Sequence, residues 1–66
     1  MHVVINGETR QVAADATLAA VLQEFGVPHR GVAVALDGSV VPRAVWPDTT
    51  LSPDATIEVL TAVQGG

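Results

Sequence analysis

The sequence predicts an α+β fold, a mixed sheet of four or five strands packed on one main helix. Two observations carry this. Apolar residues recur at helical spacing in a single stretch, Leu18, Val21, Leu22 and Phe25, so one helix has one apolar stripe and covers one sheet face. On either side of it lie short β-branched runs separated by turn residues.

The first element is a hairpin. Val3-Val4-Ile5 and residues 8–12 flank Asn6-Gly7, a pair suited to a type I′ turn, whose two central residues both need φ > 0. Asp15 or Thr17 is placed to cap the helix that follows. Gly26 ends it as the residue after the C-cap, with Pro28 shortly beyond. Residues 32–36 read as a third strand ended by Asp37-Gly38, and Val40-Val41 as a short return strand blunted by Pro42. Residues 43–55 are rich in turn formers, with Pro47, Asp48, Pro53 and Asp54 around a short segment at Thr50-Leu51. Residues 56–63 form the longest strand candidate and run directly into Gln64-Gly65-Gly66.

Alternation along the strands assigns faces. Val3, Ile5, Ile57 and Val59 are expected to face the helix, which leaves Val4, Leu60 and Ala62 on the uncovered face. Apolar residues there suggest either a docking patch or the scattered exposed hydrophobics that are normal on a small protein.

Composition narrows the function classes. Sixty-six residues are expected to form one domain, residues 1–66, with a flexible tail at 64–66. There is no cysteine, and so neither a disulfide nor a thiolate metal site. Arg10, Arg30 and Arg43 are the only basic side chains apart from two histidines, against seven carboxylates, for a net charge of −4. A nucleic-acid surface needs clustered positive charge and is not expected; the charge suits a basic groove on a partner protein or equally serves solubility alone. No apolar run is long enough to cross a bilayer, so a cytoplasmic location, with no membrane contact, is expected. His2 and His29 stand apart without metal-ligand spacing, Asp48 and Asp54 read as turn formers, and Ser39 and Ser52 lack a nucleophile motif. Trp46 reads foremost as the seal of a core edge, while Arg43 is open between pairing with a nearby carboxylate and contacting a partner. No catalytic residue and no metal site is assigned.

Three segments carry a family resemblance: Gly31-Val32-Ala33-Val34-Ala35 leading to Asp37-Gly38, Val41-Pro42-Arg43 followed by Trp46, and the tail Thr61-Ala62-Val63-Gln64-Gly65-Gly66. Together with the order of elements they resemble the ubiquitin-like β-grasp fold, and within it the ThiS family of sulfur carriers in thiamine biosynthesis. The resemblance implies that an E1-like adenylating enzyme uses ATP and Mg²⁺ to activate the Gly66 carboxylate. Sulfur from a persulfide donor then replaces AMP to leave a thiocarboxylate, and thiazole synthase takes that sulfur. Gly65 and Gly66 would be the sulfur-carrying end, and Leu60, Ala62, Val4 and Gln64 the docking residues. The chain would bind no cofactor, would be a carrier and not an enzyme, and would be monomeric when free. Three alternatives remain: the small subunit of molybdopterin synthase, a β-grasp interaction module without terminal chemistry, and a protein-conjugating modifier. The absence of lysine excludes self-linked chains for the last of these.

Overall fold

A computed structural model describes residues 1–28 and 30–61. The elements follow in the order β1 (His2–Ile5), β2 (Glu8–Gln11), α1 (Leu18–Glu24), β3 (Val32–Leu36), β4 (Ser39–Val40), a 3-10 helix (Arg43–Asp48) and β5 (Thr56–Thr61). They build one five-stranded sheet in the order β2-β1-β5-β3-β4. β1 runs parallel to β5, and every other pairing is antiparallel.

The two hairpins form where the turn residues place them. Asn6 and Gly7 have φ of 48° and 84°, and Asp37 and Gly38 have 49° and 89°; positive φ at both central residues matches the right-handed twist of the flanking strands. The β3–β4 register pairs Ala35 with Val40 and Leu36 with Ser39, so β4 begins one residue earlier than the expected Val40-Val41. Val41 still donates its N–H to the Val34 carbonyl at 2.8 Å.

Both ends of α1 are capped from the sequence's own residues. Thr17 is the N-cap, its hydroxyl accepting from the Ala20 N–H at 3.2 Å, which resolves the choice between Asp15 and Thr17. At the other end Gly26 has φ 74°. Its N–H donates to the Gln23 carbonyl at 3.1 Å, and the Val27 N–H donates to the Leu22 carbonyl at 2.8 Å. These are the two bonds of a Schellman motif, and they satisfy carbonyls that the helix end would otherwise leave open.

The apolar stripe of α1 lies on the sheet. Leu18, Val21 and Leu22 are buried, and Val3, Val34 and Ile57 meet them from β1, β3 and β5. Ile5 and Val59 are half-buried and pack against the same cluster, so the strand parity expected for Val3, Ile5, Ile57 and Val59 holds.

Two features of the segment between β4 and β5 differ from a simple turn region. Residues Arg43–Asp48 form a 3-10 helix, and Thr50 makes an isolated antiparallel bridge with Thr17. Pro42 stands at the N-cap of that helix with φ −60°, where its missing N–H costs nothing. Trp46 is buried and its indole N–H donates to the Val41 carbonyl at 2.9 Å. It closes one edge of the core, as expected, with its polar atom satisfied.

Candidate functional site: the open sheet face and the last strand

β5 is a central strand, held by β1 on one side and β3 on the other. In the sequence it leads through Thr61 towards Gly65-Gly66. Ala62, Gln64, Gly65 and Gly66 lie outside the described residues, as does His29.

Side-chain-to-backbone bonds tie β5 in place at two points. At its start Asp37 bonds Thr56 twice: the Thr56 N–H donates to Asp37 Oδ1 at 2.9 Å, and the Asp37 N–H donates to the Thr56 carbonyl at 2.8 Å. Further along, Asn6 Oδ1 accepts from the Val59 N–H at 2.8 Å, and Asn6 Nδ2 approaches the Val59 carbonyl at 3.4 Å. In the sequence Asn6 and Asp37 read as turn residues alone. No local signal marks bonds to residues 53 and 19 positions away.

The face of the sheet away from α1 is a continuous surface. Paired residues share a face, so the register sets Ala33 beside Leu60 and aligns Val40, Ala35 and Glu58 across three strands. Val4 lies on the same face, beside Thr9 of β2 and Thr56 of β5. Leu60 is 64% exposed and Val40 is 74% exposed, large values for aliphatic side chains. Val4 is half-buried between its neighbours. The register thus places Leu60 and Val4 on the uncovered face, as their strand parity requires. Ala33, Ala35 and Val40 extend the surface beyond the residues expected there. The alternation of Val32, Val34 and Leu36 with Ala33 and Ala35 contained this signal, because the bulky set faces the helix and the small set faces away.

On the opposite side, next to the C-terminal end of α1, lies a cleft of about 350 Å³. Ile5, Phe25, Val27, Val32 and Val59 line it, and Thr61 stands at its wall. Arg10 reaches over it, with its guanidinium 5.5 Å from the Phe25 ring centre and Nη2 2.6 Å from Glu8 Oε1. Both contacts are near the surface and each contributes at most about 1 kcal/mol. Among the described residues there is no group of three or more His, Cys, Asp or Glu that could hold a metal ion, and no helix long and apolar enough to cross a membrane.

A five-stranded mixed sheet grasping one helix, with a central last strand leading towards a Gly-Gly pair, defines a protein of the ubiquitin-like β-grasp class. The ThiS family model matches residues 3–66, and the chain belongs to the ThiS family. It is 39% identical over 62 residues to the sulfur carrier protein ThiS of Thermus thermophilus, covering 94% of this chain and 95% of that one. It is also 35% identical over all 66 residues to a thiazole synthase of Paramagnetospirillum magneticum, of whose length it spans 20%. Among solved structures, the crystal structure of the thiamine biosynthesis protein ThiS from Geobacter metallireducens superposes with a TM-score of 0.85 at 28% identity, each chain fully covered. The solution structure of a thiamine biosynthesis protein from the same organism gives 0.78 at 28% identity, with all of this chain and 88% of that chain covered.

Proposed function

We propose that this chain is the sulfur carrier of thiamine biosynthesis and that the Gly66 carboxylate is the group that carries the sulfur. The observation that supports this most is the family match, which runs through Gly65-Gly66 to residue 66. A carboxylate is a poor acyl donor because its oxygen leaves badly. An adenylating enzyme of the E1-like class, using ATP and Mg²⁺, joins that oxygen to the α-phosphorus and releases pyrophosphate, so AMP becomes the leaving group. The outer sulfur of a persulfide donor then attacks the acyl carbon and expels AMP to give an acyl disulfide. A second thiol cleaves its S–S bond, leaving the thiocarboxylate on Gly66 and a disulfide on the donor side. Thiazole synthase receives the sulfur; a relative of that name contains a segment similar to this whole chain.

The chain's own part is to be held and presented. It has no cysteine on which sulfur could otherwise reside. Two successive glycines let a backbone pass through a narrow channel to a buried nucleotide. The open face with Leu60 and Val4 at its centre serves as the docking surface, with Ala62 and Gln64 continuing it along the tail. Glu58 on that face and a net charge of −4 suit a partner groove with positive charge at its rim. The protein acts in the cytoplasm, as a monomer when free, and catalyses nothing itself.

Intact-mass spectrometry after incubation with the adenylating enzyme, ATP, a persulfide donor and a thiol reductant tests this reading. The expected product is heavier by the exchange of one oxygen for sulfur, and fragmentation places the change on Gly66. An unchanged mass, or Gly66 found in isopeptide links to lysines, refutes it. The docking surface has its own test. Leu60→Glu keeps the melting transition, because an exposed substitution of this kind shifts stability by no more than about 0.5 kcal/mol. It raises the KM for the adenylating enzyme at least about tenfold, because a charge is then buried without a partner at the interface. Loss of the fold in this variant would place Leu60 in the core instead.

A further inference from the structure

The β1–β5 ladder is short, and the side chain of Asn6 finishes it. The register joins Val4 to Thr56 and Ile5 to Ile57, and the Asn6 N–H donates to the Ile57 carbonyl at 2.9 Å. There β1 turns away, since Asn6 enters the hairpin turn with φ 48°. The N–H and C=O of Val59 point to the side that β1 has left. Asn6 Oδ1 accepts from that N–H at 2.8 Å, and Asn6 Nδ2 lies 3.4 Å from that carbonyl. A carboxamide carries an acceptor oxygen and a donor nitrogen, the same pair of functions that a backbone unit offers. It therefore stands in for the strand residue that the turn removes. On the other edge β3 holds β5 as far as Thr61, paired with Val32. On the β1 edge, among the described residues, the Asn6 carboxamide makes the last hydrogen bonds before Gly65-Gly66.

We propose that Asn6 is a positioning residue for the carrier reaction, its carboxamide setting the direction in which β5 delivers the Gly66 carboxylate to the adenylating enzyme. This rests on the sulfur-carrier reading above. The lever is the stretch that follows Val59, from Leu60 to Gly66, seven residues long. Seven residues reach at most about 23 Å, and the direction in which they leave the sheet is fixed where β5 loses its β1 neighbour, at Val59. Displacements of about 1 Å at a reacting group can cost about a hundredfold in rate.

Two variants test the inference in the full chain. Asn6→Gly removes the carboxamide and keeps a residue at ease with positive φ, so the turn is not strained. Asn6→Asp keeps the acceptor for the Val59 N–H and sets a carboxylate oxygen against the Val59 carbonyl. Both are expected to unfold cooperatively and to exchange the Val59 amide hydrogen at least about tenfold faster than wild type. Both are also expected to lose at least about tenfold in kcat for adenylation with KM little changed. Wild-type kcat in Asn6→Gly overturns the inference, as does a deficit that disappears at a temperature where both chains are fully folded. A wild-type chain that is never adenylated overturns the sulfur-carrier reading and this inference with it. A reactive wild type with an equally reactive Asn6→Gly variant overturns this inference alone.

Discussion

Deleting Gly66 is expected to abolish sulfur loading and to leave thermal unfolding unchanged. The deletion still leaves a glycine carboxylate, now on Gly65, so the chemistry of the acyl group is the same. Its position is not: the chain is shorter by one residue, about 3.3 Å of reach. In-line attack on a phosphorus atom needs the reacting atoms about 3–3.5 Å apart, and about 1 Å of misplacement can already cost about a hundredfold. A loss of at least about a hundredfold in pyrophosphate release is therefore expected, with no thiocarboxylate in the mass spectrum. Stability is expected to be indifferent to the change because, among the described residues, the buried core runs from Val3 to Ile57 and a glycine has no side chain to add to it. Sulfur loading of the shortened chain at the wild-type rate would show that the reaction does not depend on Gly66.

Ile57→Ala has the opposite signature, a large loss of stability. Ile57 is fully buried on the central strand, opposite Ile5 on one side and Leu36 on the other, in the cluster with Leu18 and Val21. Truncating such a side chain costs about 2–5 kcal/mol, through lost burial and the cavity left behind. A chain of this size has about 3–10 kcal/mol in total, so the substitution removes a large share of it. At about 4–8 °C per kcal/mol, the melting temperature falls by at least about 8 °C. Circular dichroism on heating reads this directly, and a shift below about 2 °C would show that the core does not depend on Ile57. Set beside Leu60→Glu, three positions along the same strand, the pair separates the buried face from the open one.

Much of this was legible in the residues. Asn6-Gly7 and Asp37-Gly38 announce hairpins because few residue pairs tolerate positive φ in succession. The stripe from Leu18 to Phe25 announces one helix, and Gly26 its end. Strand alternation then divides Ile57 and Val59 from Leu60 by parity alone. Other features were not legible. The 3-10 helix over Arg43–Asp48 lies among prolines and aspartates that read equally as turns, and it exists because Trp46 anchors it in the core. The apolar reach of the open face to Val40 depends on the β3–β4 register, which one residue of slip would reverse.

Local spacing and backbone preference are enough to settle the two hairpin turns, the α-helix and the faces of the strands that pack on it. They do not settle that β5 lies between β1 and β3, or that Asn6 and Asp37 bond to it from the turns; the packed chain does. A side-chain amide or carboxylate completes a ladder only where folding brings an unfinished strand edge to it. Nothing in the residues near Asn6 or Asp37 records where that edge will be.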